Sequence, residues 1–339
     1  MNINKNCFDF LRFVFALIIC LAHLMELSDN KALFFLTTFA NSTFAVKGFF
    51  VISGFLVTKS YINTPSLKNY FIKRAKRILP AYIFVILLTT IILSLISTTP
   101  SFFEYFLNTA TIKYFFWNVL FLNFLSPCLP GVFENNSVCA VNGALWTLKI
   151  EEGFYVFLPI LFYIINRFKK PTLILFVFYL LSLIYWYVLQ YNLNMPMLAK
   201  QLPGYLSYFV VGIFLFLNFE NLIKHKVKVV SISLVLLLIS TITNFNIYVL
   251  LPAVYGSLII CAAFSFPFLN HFGKYGDFTY GLYIYHFPII QIFRHYNLFE
   301  KMNPILVGFS ILIITLIFAI FSWFVIEKRF LDRYKLNKN

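Results

Sequence analysis

The stretch FDFLRFVFALIICLAH, residues 8–23, decides the fold. Between Arg12 and His23 it runs FVFALIICLA, without one charged or strongly polar side chain. In a helix at 100° per residue, eleven steps return to within about 20° of the starting direction. Arg12 and His23 then share a face and stand about 16 Å apart along the axis, roughly half the hydrocarbon thickness of a bilayer. Ionisable side chains on one stripe of an apolar helix are costly in lipid, so they belong to a polar site inside a bundle. The stretch reads as the first helix of a membrane bundle.

Composition agrees. Of 339 residues, 61% are hydrophobic and 12% charged, against about 25% charged in soluble proteins. The 45 Phe and 21 Tyr suit lipid-facing and interfacial surface. The net charge of +15 does not point to nucleic acid, because Lys and Arg sit between apolar spans, where they orient a membrane protein. The N-terminal MNINKN leads directly into a run that carries Arg12 and His23 and lacks a small-residue cleavage site. A retained helix is expected there rather than a signal peptide.

Apolar runs long enough to cross a bilayer lie near 8–27, 44–60, 79–98, 145–165, 172–191, 203–219, 228–243, 247–267, 277–295 and 305–326. An eleventh stretch, 114–126, is short and followed by Pro127 and Pro130, and reads as re-entrant or interfacial; a span there would invert everything after it. With the N-terminus inside, 19 of the 27 basic residues fall in inward segments, among them the final group Lys328, Arg329, Arg333, Lys335 and Lys338. Seven fall outside, and Arg12 lies within the first span. This bias predicts an all-α polytopic bundle of about ten spans with both termini cytoplasmic. No soluble domain or internal repeat is visible. Cys128 and Cys139 share the longest outer connection, 99–144, where a disulfide is permitted if the loop is extracytoplasmic; spacing alone leaves the matter open. Cys7, Cys20 and Cys261 read as packing residues, and no Cys/His spacing resembles a metal site.

Six segments fall in a telling order: FDFLRFVFALIICLAH (8–23), FFVISGFLVTKSY (49–61), KRAKRILPAY (73–82), ALWTLKIEEGFYVFLP (144–159), FTYGLYIYHFPI (278–289) and SWFVIEKRF (322–330). In that order the chain resembles acyltransferase family 3, integral membrane O-acyltransferases typically of ten spans. The match runs from residue 8 to residue 330, which implies one transmembrane acyltransferase domain over 1–339. Thr147 and Lys149 depart from the small hydroxyl residues usual in the family, and Lys328–Arg329 from a commoner Arg-Pro. The resemblance implies an O-acetyltransferase of the bacterial inner (cytoplasmic) membrane. It would take acetyl from acetyl-CoA and modify a cell-envelope glycan or glycolipid, such as lipopolysaccharide O-antigen, capsule or exopolysaccharide. Its partners are then that acceptor, acyl-CoA and the lipid bilayer, with no nucleic acid and no metal. Two alternatives stand: a non-saccharide acceptor or succinyl transfer, and a transporter using the same buried ionisable groups. A transporter would show paired repeats with broken helices, and none is found in the sequence.

His23 is the candidate base, because a neutral imidazole accepts a hydroxyl proton near pH 7; the alternative is a histidine satisfied by Glu26 at i+3. Arg12 binds a cofactor phosphate or steadies a polar group deeper in the channel; its alternative is a salt bridge to Asp9 at i−3, and the two readings are compatible. Lys73, Arg74 and Arg77 follow the second span; on charge alone they are anchors, and the resemblance reassigns Arg74 and Arg77, on one helix face, to coenzyme A phosphates. Ser53 and Gly54 put a small-residue break in a span, for a cofactor tail or for helix packing. The family pattern selects Glu151 over Glu152 as the functional carboxylate. Trp146 serves sugar stacking or interfacial anchoring. His286 and Tyr285, with Tyr283 nearby in YIYHFP, line a channel or make structural hydrogen bonds.

Overall fold

A computed structural model describes residues 3–243 and 246–331. Arg333, Lys335 and Lys338, counted above among the inward charges, lie outside the described residues. Among the described residues there are helices and no strands. The principal helices are α1 (Phe8–Ser28), α2 (Ser42–Ile62), α3 (Leu67–Leu93), α4 (Trp146–Phe168), α5 (Pro171–Tyr187), α6 (Leu202–Leu217), α7 (Lys226–Thr243), α8 (Leu251–Ala263), α9 (Thr279–His295) and α10 (Pro304–Ser322). Nine of them follow the apolar runs predicted from sequence to within a few residues; α3 differs, starting at Leu67 and ending at Leu93 where 79–98 was expected, so the basic residues Lys68, Lys73, Arg74, Lys76 and Arg77 are helical and form its first turns.

Among the described residues, seven helices are long and apolar enough to cross a membrane, or eight if Leu251–Ala263 and Pro267–Lys274, bent by 75°, form one span. The other two predicted spans are helical but fall short for physical reasons. α4 carries Lys149, Glu151 and Glu152 near its start and Arg167 at its end, and α9 has 17 residues. The doubtful stretch at 114–126 takes in the second half of the 11-residue helix Thr109–Val119 and a short 3₁₀ turn. At 1.5 Å per residue that helix covers about 16 Å, too little for the hydrocarbon core.

The described residues pack into two compact units, each drawn from three separated segments. The first comprises Met1–Arg12, Val46–Phe71 and Ile150–Gly273. Within it α5 packs on α6, α6 on α8 and α8 on α7. α2 and α6 meet backbone to backbone: a Cβ on Gly54 would stand 2.1 Å from the Phe209 carbonyl oxygen, and one on Gly212 2.2 Å from that of Val51. Small residues permit this approach, the usual device where lipid is as apolar as the side chains. Phe154 stacks on Phe209 beside it, with ring centroids 4.4 Å apart. Pro159 sits inside α4 and has no N–H for the carbonyl of Tyr155. The Tyr70 hydroxyl donates to that carbonyl at 3.1 Å.

The second unit comprises Phe13–Ala45, Ile72–Lys149 and Lys274–Asn339. Its centre is α9, buried continuously from Thr279 to Gln291 and packed on α10. Pro288 leaves the Ile284 carbonyl without a helical partner, and the Asn142 amide donates to it at 2.8 Å. A disulfide joins Cys128 to Cys139. The loop it closes is strapped to α9: the Gln291 amide donates to the Val138 and Ala140 carbonyls at 2.6 and 2.8 Å, and Asn136 donates back to the Gln291 side chain at 2.9 Å.

Candidate active site

In the second unit α1 and α9 bring two histidines together. Nδ1 of His23 lies 2.8 Å from Nε2 of His286. The ring planes are 7° from parallel, with centroids 5.1 Å apart. Rings overlapping face to face cannot bring two nitrogens that close, so the imidazoles lie edge to edge and the hydrogen bond runs within both planes. Nδ1 of His286 lies 3.1 Å from the carbonyl oxygen of Leu282, one turn earlier. His286 is completely buried, whereas His23 keeps some exposed surface. Phe287 closes one side of His23 edge-on at 5.3 Å. The partner of His23 is thus a second histidine, 263 positions away.

Neighbouring groups fix α9. The Tyr283 hydroxyl donates to the Ala144 carbonyl at 2.7 Å and meets the Thr147 hydroxyl. At the start of α9, Asp277 Oδ1 accepts the N–H of Thr279 at 3.2 Å, while Oδ2 accepts from Arg77 at 2.5 Å. The Arg77 guanidinium also stands 4.0 Å from Glu327, which is 2% exposed. The Ser322 hydroxyl donates to Glu327 at 2.9 Å. Arg77, expected at a phosphate, is therefore engaged by two carboxylates. Lys73 is exposed, and Arg74 and Lys76 are half-buried on the same stretch of α3. Trp146 opens α4, half-buried. Tyr285 points away from His286, toward Phe318 at 5.7 Å and an apolar cavity lined by Leu88, Leu93 and Ile289.

In the first unit, Glu151 accepts hydrogen bonds on one oxygen from the Tyr155 hydroxyl, one turn on, and from Ser53 at 3.4 Å. Arg12 lies 3.8 Å from Asp9, the predicted i−3 pairing. The backbone of α6 fills the space beside Gly54, so of the two readings offered for this glycine the close approach seen is helix packing.

Sequence reasoning passed over Asp277, Glu327, Tyr155 and Asn142. A signal existed for Glu327: a carboxylate in the apolar run SWFVIEKRF requires a partner. Asn142 and Tyr70 answer prolines inside helices, and only the tertiary fold tells which side chain reaches a freed carbonyl.

A polytopic helical bundle in which a partly exposed histidine meets a buried one on a second helix defines the class, an α-helical membrane protein with ionisable groups in its interior. Comparison with known proteins makes it specific: residues 5–324 match the Acyltransferase domain family. The chain belongs to that family and is a multi-pass membrane acyltransferase. It is 28% identical over 346 residues to a protein of Shigella phage Sf6 named O-acetyl transferase, covering 97% of each chain. It is 32% identical over 181 residues to nodulation protein 10 of Rhizobium leguminosarum bv. viciae, covering 49% of this chain and 47% of that one. Relatives from Staphylococcus aureus match 84% of this chain, which spans about half (52%) of their own length. No solved structure matches.

Proposed function

We propose that this protein transfers acetyl from acetyl-CoA to a hydroxyl of a cell-envelope saccharide, in the bacterial inner membrane with both termini in the cytoplasm. The reading draws its acyl group from the name of the phage relative and its orientation from the distribution of Lys and Arg. One observation carries the chemistry: His23 is partly exposed and uses one ring nitrogen on buried His286, leaving the other for substrate.

An acyl-CoA donor, when bound, supplies a thioester whose carbonyl carbon is open to attack. His23 takes the proton from the acceptor hydroxyl as the new C–O bond forms and the C–S bond breaks. It then passes that proton to the departing sulfur and is neutral again. General-base catalysis of this kind is worth about 10²–10⁴ in rate. On the donor side, the basic stretch of α3 suits a cofactor with three phosphate groups. Arg74 with Lys73 and Lys76 would make those contacts, with Arg77 braced behind them by Asp277 and Glu327. Glu151, oriented by Tyr155 and Ser53, would serve the acceptor.

The test is mass analysis of envelope glycans from cells with the gene, without it, and with His23→Ala. Loss of one acetyl mass per modified residue is expected in the last two, with the variant still inserted at normal abundance. Unchanged glycan acetylation in cells lacking the gene would refute the acceptor class. Full acetylation by His23→Ala would refute the base.

A further inference from the structure

We infer that His286 is a positioning residue that holds His23 in the Nδ1–H tautomer, so that Nε2 of His23 is the proton acceptor. The inference rests on the reading of His23 as the base and assigns the nitrogen that acts.

The assignment follows from counting protons along one line of contacts. The Leu282 carbonyl oxygen can only accept, so the proton in its 3.1 Å contact belongs to Nδ1 of His286. A neutral imidazole carries one N–H, which leaves Nε2 of His286 as a lone pair. The 2.8 Å contact to His23 then requires a proton on Nδ1 of His23, and Nε2 of His23 is left bare. Reversing the direction leaves two poor choices. Either His286 is doubly protonated, a cation without any exposed surface, which is expensive, or its Nδ1 lone pair faces the carbonyl lone pair of Leu282. The Nδ1–H form is the minority tautomer of a free histidine in water, so the protein has to impose it. A second ring nitrogen fixed by a hydrogen bond is the ordinary means of doing so.

The surroundings suit a fixed support. The in-plane geometry of the pair aligns donor and acceptor. α9 is tied by Asp277 at one end, by Tyr283 and Asn142 around the histidine, and by Gln291 beyond it. His286 has no exposed surface with which to touch substrate, whereas His23 does. The division of roles follows from that asymmetry.

The experiment is ¹⁵N spectroscopy of histidine-labelled protein in detergent, which separates protonated from bare ring nitrogens, combined with steady-state kinetics. Wild-type protein is expected to show His23, assigned by its loss in His23→Gln, with Nδ1 protonated and Nε2 bare. His286→Gln, whose amide oxygen still accepts a hydrogen bond, should keep that pattern and most of kcat. His286→Leu should shift the tautomer and lower kcat by about tenfold to a hundredfold, with KM for acetyl-CoA unchanged. A wild-type spectrum with the proton on Nε2 of His23 overturns the inference, as does His286→Leu with normal kcat. If the leucine variant does not fold, the wild-type spectrum alone decides. An inactive His23→Ala together with an Nε2–H spectrum removes the positioning role and leaves the base. A fully active His23→Ala removes both.

Discussion

Replacing Arg77 with Ala is expected to damage stability before it damages donor affinity. Arg77 holds Asp277 at 2.5 Å and approaches Glu327 at 4.0 Å, with side-chain exposures of 19%, 13% and 2% in that order. Removing one member of a buried ion pair typically costs 3–5 kcal/mol, because the remaining charge is stranded. Arg77 and Asp277 keep some solvent, so the lower end applies, about 3 kcal/mol. For a chain of this size that is a fall of roughly 5 °C in Tm. The assay is thermal unfolding in detergent, followed by tryptophan fluorescence, with acetyl-CoA affinity measured on the same preparations. Arg77→Ala combined with Glu327→Gln removes the stranded charge and should recover about 1–2 kcal/mol, the coupling expected of residues in contact. Arg74→Ala should change Tm little and weaken acetyl-CoA about tenfold or more, as the loss of one charge-assisted contact implies. If Arg77→Ala melts like wild type while losing affinity as Arg74→Ala does, Arg77 is a phosphate ligand and the carboxylates are bystanders.

Two further outcomes test the fold. Gly54→Ala places a methyl 2.1 Å from the Phe209 carbonyl oxygen; the resulting separation of α2 and α6 should cost about 1–3 kcal/mol, seen as reduced monodisperse yield, and a wild-type yield and Tm would contradict the close contact. A cysteine at Ser137, in a background without the native cysteines, should react with a membrane-impermeant maleimide on intact cells, while one at Thr64 should not. The reverse pattern would invert the orientation.

The helices were legible because membrane spans advertise themselves: an apolar run of sufficient length is almost its own structure. Orientation was expected from charge, and the histidine of the first helix stood out because an ionisable group in such a run is rare. Partners were much less legible. For His23 the one partner the sequence offered was the alternative at i+3, Glu26, whereas the ring it meets lies 263 positions later. Nothing in helical periodicity selects among distant helices. The i−3 contact of Arg12 with Asp9 was visible because both ends lie on one helix. Arg77 showed the converse. The family resemblance suggested a phosphate fork with Arg74, yet its geometry is set by Asp277 and Glu327, supplied by the turn before α9 and the π-helical turn Trp323–Glu327 that follows α10.

The strap between Gln291 and the loop carbonyls imposes an order on synthesis. The amide that will bind the Val138 carbonyl is made 153 residues after it. At 5–20 residues per second, the ribosome delivers it roughly 8–30 s later. Until then the carbonyls of Val138 and Ala140 must find other donors, which hydrocarbon does not offer. The nascent loop has to spend that interval against water or lipid headgroups. Cys128 and Cys139, 11 positions apart, are both already made by then. The disulfide that closes the cradle for Gln291 can therefore form before the helix that carries His286 exists.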